Sequence, residues 1–243
     1  MIRNTNVFQN LEMFCCAKHF VRRGTAFIRV HGDGVLQILK VEKIPYWDAY
    51  EIFLDVFSMY DELDSGVFSA KGCVARYALV LFCGKHSAEY TEKVGDHYEG
   101  RIISLDMQVS LLKKTVMPFL DNIRTQAQLV NAMCKLDELA YSKILWNDIH
   151  KYVPFLYSGD YLSAQKVILA ILEQHKFAAE RRRLTLSSQD YEAFRTKLQE
   201  EDWMFIRKLQ IAELGDSAAM KEHFQSCFER NCKLSKLVKP NSL

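Results

Sequence analysis

The sequence predicts an α+β protein: an N-terminal helix, a four- to five-stranded antiparallel sheet, then an all-helical C-terminal part. Three observations carry this. Apolar runs at 25–31 and 35–43 flank the tight turn Gly32-Asp33-Gly34, and a third run at 50–60 follows a proline-containing connection; that is the pattern of an antiparallel meander. Near residue 105 the apolar period changes from 2 to 3.6. Eight of the ten glycines lie at or before residue 100, which leaves the remainder to long uninterrupted helices.

The elements follow in order. Residues 6–19 form a helix with Phe8, Leu11 and Cys15 on one face and Asn6 as its cap. Gly24 suits a turn with positive φ at the entry to the sheet. In the first strand Phe27 and Arg29 alternate with Ala26, Ile28 and Val30; Gly32-Asp33-Gly34 then supplies the positive φ that a short hairpin loop needs. In the second strand Val35, Leu36, Ile38, Leu39 and Val41 populate both faces, so it is central and covered on both sides. In the third, Tyr50, Ile52, Leu54 and Val56 share one face, and Glu51 and Asp55 share the other with Phe53, Phe57 and Met59. Residues 74–82 are β-branched and aromatic enough for a fourth strand, and 101–105 add a fifth at an edge. Residues 61–73 read as a polar loop, and 85–101 as a loop or a short exposed helix.

From Leu105 the apolar positions Val109, Leu112, Val116, Phe119 and Ile123 recur at spacings of four and three, one face of a helix. Pro118 interrupts that face and predicts a kink rather than an end. Residues 126–141 continue as helix. Further helices are expected at 143–157, 160–183, 188–214 and 217–232, with Ser158-Gly159-Asp160 as a stop followed by a cap, and Ser187 or Ser188 capping the next. The period change divides the chain into an α+β domain at 1–142 and a helical extension or small helical domain at 143–243.

The motifs Phe20-Val21-Arg22-Arg23-Gly24, Phe27-x-Arg29 and Val35-Leu36-Gln37, followed by Val116-Met117-Pro118-Phe119-Leu120, resemble an uncharacterised bacterial family, domain of unknown function 4304, over roughly residues 5–140. The resemblance implies a small α+β domain with an antiparallel sheet and a proline in a helix after it. It implies no activity.

Bulk properties exclude several classes. Hydrophobic residues make up 49% of the 243 and charged residues 26%, a globular balance. The net charge of +2 draws in neither nucleic acid nor an anionic membrane. Seven cysteines, scattered and without a CxxC pair, point to free thiols in a reducing compartment. The polar start of the chain lacks a signal-peptide core. The longest apolar run, 77–83, is far short of the roughly 20 residues a membrane helix needs. The expected location is the cytoplasm.

Candidate chemistry is sparse. His86, Glu89, Glu92 and His97 are the nearest approach to a metal set, but Gly95 and the polar neighbours favour a solvated loop, so no metal is assigned. Cys15, Cys16 and Cys83 have no paired base in the sequence, and packing explains them better than nucleophilic catalysis. Gly32-x-Gly34 lacks the third glycine and the following helix of a phosphate loop. Arg181, Arg182 and Arg183 complement the dipole at a helix C-terminus; a nucleic-acid patch there would work against residues 143–243 holding 16 basic and 13 acidic side chains. Glu51 and Asp55, with Arg29 or Arg76 as partners, could do acid–base work, but cross-strand pairing is the commoner use.

No catalytic residue, cofactor or metal is therefore assigned. The reading is a non-enzymatic intracellular protein that binds another macromolecule or itself. The alternatives are an enzyme assembled from Glu51, Asp55, Arg76 and the 85–100 segment, and a weak nucleic-acid binder using Arg181, Arg182 and Arg183.

Overall fold

The computed structural model describes residues 5–43, 50–61, 75–78, 105–139, 148–214 and 217–235. The helix α1 (Thr5–Ala17) buries Phe8, Leu11 and Cys15. It stops because His19 takes φ 64°, so that the amides of His19 and Phe20 donate back to the carbonyls of Cys16 and Cys15, both at 3.0 Å. That closure uses up carbonyls the helix end leaves over, and the buried Phe20 packs into the turn.

The sheet is a simple meander of β1 (Val21–Arg23), β2 (Ala26–Val30), β3 (Val35–Lys43), β4 (Tyr50–Ser58) and β5 (Ala75–Ala78), each antiparallel to the next. The segment expected only to lead into the sheet is itself an edge strand. Gly24 (φ 61°) and Thr25 turn the chain tightly enough to pair Arg23 with Ala26 and Val21 with Ile28. In the next turn Gly34 alone takes positive φ, at 70°. Its amide donates to the His31 carbonyl at 2.9 Å, a type I-like turn closed by a left-handed glycine. The described part of the fourth expected strand is β5, paired with β4; residues 79–82 lie outside the described residues, as do 101–104 of the expected edge strand. Leu105 opens a helix instead.

Both faces of β3 are buried, as its sequence demands. On one face Phe27, Val35, Leu39, Val41, Ile52, Leu54 and Val56 pack with α1 and with the helices that follow the sheet. On the other, Ile28, Leu36, Ile38, Phe57 and Met59 pack against the C-terminal helices. The result is helices on both sides of one antiparallel sheet.

After the sheet come α2 (Leu105–Leu111), a π-helical turn (Leu112–Val116) and α3 (Met117–Leu120). The helix passes through Pro118 and ends two residues later, with a π-helical turn just before the proline. Pro118 cannot donate to the turn before it, and its ring would strike a carbonyl four residues back; the i to i+5 pattern opens room. The helix then ends at Leu120, so Ile123 is buried from a connecting segment and not from the helix. α4 (Gln126–Leu139) follows.

The C-terminal helices are α5 (Asp148–Ser158), α6 (Tyr161–Arg183), α7 (Ser188–Glu213) and α8 (Ser217–Ser235). Gly159 (φ 81°) stops α5, and Asp160 caps α6 by accepting from the Ser163 amide at 3.1 Å. Ser187 is the cap of α7, accepting from the Asp190 amide at 3.2 Å. No helix among the described residues is long and apolar enough to cross a membrane.

Candidate functional site

Among the described residues, Glu51, Asp55 and Arg29 do not converge on one site. Asp55 is fully buried on β4, in register with Ile38 and with the backbone of Arg76. Its described ion-pair partner is Lys40, with Nζ 3.2 Å from Oδ2. Arg29 projects from the opposite face of the sheet. Glu51 is half-buried and sits opposite Glu42. The Arg76 side chain and residues 85–100, with His86, Glu89, Glu92 and His97, lie outside the described residues, as does Cys83. Cys15 is buried, and burial, reinforced by Cys16, pushes its thiol up to about 12; a nucleophile needs the opposite shift. Among the described residues no group of three His, Cys, Asp or Glu is placed to hold a metal.

Three polar clusters that sequence reasoning missed pin the helices to the sheet. The first is built on Arg29, whose Nε and Nη2 donate to Gln37 Oε1 at 3.0 and 2.7 Å. Its Nη1 donates to the Lys18 carbonyl at 3.1 Å and to Asp121 Oδ1 at 2.7 Å. Gln37 Nε2 donates to the carbonyls of Leu120 and Ile123, and Lys18 Nζ holds the other Asp121 oxygen at 2.7 Å. Burial alone would raise the Asp121 carboxyl; the bonds from Lys18 and Arg29 outweigh it and hold the group below its usual value. Two strands, the end of α1 and the end of α3 meet here.

The second cluster joins the β2–β3 turn to α5. Tyr157 Oη donates to Asp33 Oδ1 at 2.9 Å and lies 3.1 Å from Tyr60 Oη; the two rings stack with centroids 4.1 Å apart. The Gln126 amide donates to Asp33 Oδ2 at 2.8 Å. Burial raises both phenols, and for Tyr157 the Tyr60 hydroxyl and the Asp33 carboxylate push the same way. These hydroxyls stay protonated and are hydrogen-bonded, which suits a joint and not a base. The third cluster ties α8 and α5 to the end of β4. Asn231 Nδ2 donates to the carbonyls of Met59 and Asp61, at 2.9 and 2.8 Å, and His150 Nδ1 bonds the Asp61 carboxylate. A cavity of about 380 Å³ opens beside these joints, walled by Tyr60, Tyr157, Tyr161, Met220 and Phe224.

The remaining feature is an arm. α6 and α7 pack against each other through His175, whose ring lies 6.1 Å from that of Phe205 and whose Nδ1 is 2.7 Å from Asp202 Oδ1, while Ala178, Phe194 and Leu198 are half-buried. From 172 to 204 no residue is buried. The outermost buried residues are Ile171 on α6 and Phe205 on α7, which leaves about three turns of α6 beyond the core. Its surface carries Phe177 (70% exposed), Leu184 (87%), Trp203 (63%) and Met204 (46%). An open groove of about 1040 Å³ follows α6 past Ala170, Gln174, Phe177, Arg181 and Leu184. Arg181, Arg182 and Arg183 are all exposed at its tip, with the Arg182 guanidinium 6.0 Å from the Phe194 ring. The sequence signal for this surface was a second apolar series in α6, opposite the face formed by Val167, Ile168, Ile171 and Leu172.

No protein family, no curated protein and no solved structure matches the chain.

Proposed function

We propose that the chain is a non-enzymatic, intracellular protein that acts by binding another protein through the α6–α7 arm. The observation that carries this is the 33-residue stretch from 172 to 204, in which no residue is fully buried while Phe177, Leu184, Trp203 and Met204 are exposed. Large apolar side chains gathered on one projecting element mark interaction surfaces. A helix pair of this kind presents anchors at helical spacing to a groove or to other helices. Glu173, Glu180, Glu192, Glu200 and Glu201 are interleaved with the arginines, which favours a protein over nucleic acid. The free thiols of Cys15, Cys16, Cys227 and Cys232 support a reducing compartment.

The test is site-specific photo-cross-linking in the source cell. A benzophenone side chain at Phe177 or Leu184 should trap one and the same protein, and the same group at Met13, 71% exposed on α1, should not. Equal trapping at all three positions, or none at the arm, sinks the proposal. Phe177→Ser with Leu184→Ser should abolish the adduct from a reporter at Trp203 while leaving the circular dichroism spectrum unchanged.

A further inference from the structure

The outer face of α6 is self-complementary. Six of its residues and its C-cap, Leu184, follow one another at spacings of four, three, four, four, three and four: Leu162, Lys166, Leu169, Glu173, Phe177, Glu180 and Leu184. Those spacings keep all seven on one stripe of a straight helix. Every one is exposed, Leu162 and Leu169 at 72% and 55%. The stripe points away from the seam with α7, to which Ile171 and His175 contribute. Glu173 lies at its midpoint. The leucines at 162 and 184 are equidistant from it, as are Lys166 and Glu180, and Leu169 and Phe177.

We infer that a second copy of this chain binds the stripe, with the two α6 helices antiparallel about a twofold axis at Glu173. This rests on the arm being the interacting element and names its partner. In that register Leu162 meets Leu184 of the other copy, Leu169 meets Phe177, and each Lys166 meets a Glu180. A twofold interface must be complementary to itself, and a stripe that reads apolar on apolar and lysine on glutamate from either end meets that requirement. The contact runs for about 33 Å. The two Glu173 carboxylates face each other on the axis, with Lys176 one turn away on each helix.

The experiment is sedimentation equilibrium on the purified full chain up to roughly 0.1 mM. The chain should dimerise reversibly. Lys166→Glu and Glu180→Lys should each weaken the dimer about ten-fold, and an equimolar mixture of the two variants should recover it as a heterodimer, because each 166–180 pair is then of opposite charge. Glu173→Gln should tighten it. A chain monomeric throughout, a dimer indifferent to these exposed substitutions, or a mixture no tighter than its components would each overturn the pairing. Should the chain be monomeric while the cross-links at Phe177 and Leu184 reach a different protein, the pairing fails and the arm keeps its role. Should those cross-links also be absent, both fail.

Discussion

A β-carbon on Gly34 would lie 2.6 Å from Cε2 of Tyr60. The ring cannot swing aside, because its other neighbours are the Tyr157 ring stacked at 4.1 Å and the Phe228 ring at 5.5 Å. The Gly34 carbonyl is also engaged, accepting from the Met59 amide at 2.8 Å. One glycine therefore serves two demands, a left-handed turn and a close approach. Gly34→Ala should cost about 2–4 kcal/mol by urea denaturation. In a Tyr60→Ala background the same change should cost about 1 kcal/mol, the part owed to φ alone. Equal costs in the two backgrounds would show that the ring is not the obstacle.

Arg29 and Gln37 form a buried unit. Gln37→Leu leaves the guanidinium short of its main acceptor and strands two carbonyls, an expected loss of about 3–5 kcal/mol. Combining it with Arg29→Met should cost clearly less than the two singles together, by about 1–3 kcal/mol. Strict additivity in a double-mutant cycle would mean that the two side chains act separately.

His31 makes stability depend on acid. Burial, with help from the charges of Arg29 and Arg124, lowers its pKa from 6.5 to about 4. The unfolded chain then binds a proton that the folded chain refuses. The contribution is complete above pH 6.5 and is lost as pH falls through about 4. Asp121, also depressed in the fold, adds a second loss at lower pH, below the ordinary carboxylate value of 3.8. His31→Gln should flatten the stability profile between pH 6.5 and 4 and leave the Asp121 limb in place. An unchanged slope in that window would assign the acid sensitivity elsewhere.

The C-terminal helices complete the core of the sheet. Leu36, Ile38, Phe57 and Met59 are essentially unexposed, and their cover comes from residues beyond 150. Uncovering them would forfeit about 1.5–3 kcal/mol each, enough to exhaust the stability of a small domain. A fragment ending at residue 142 should aggregate or lack a cooperative thermal transition. A fragment that unfolds cooperatively as a monomer would show that the sheet holds together with one face bare.

Legibility varied with the range of the interaction. The caps at Asp160 and Ser187, the stop at Gly159 and the left-handed Gly24 and Gly34 were readable because each is decided by atoms within a few residues. β1 was missed because three exposed residues carry no alternation; only pairing with β2 makes them a strand. Arg29 was read as a partner for a carboxylate on β4, yet it serves the other face and reaches Asp121, 92 residues away. The Tyr60–Tyr157 stack and the Asn231 bond to the Met59 carbonyl span 97 and 172 residues and leave no trace in local pattern.

The sequence by itself determined the α+β class, the meander followed by helices, and the two-sided burial of β3. Each follows from steric limits and hydrophobic period, which act over a turn or a pleat. The tertiary structure alone decided which helices cover which face, how the polar groups find partners, and that α6 and α7 outrun the core. That last choice leaves Phe177, Leu184 and Trp203 exposed, since none of the described elements extends to cover them.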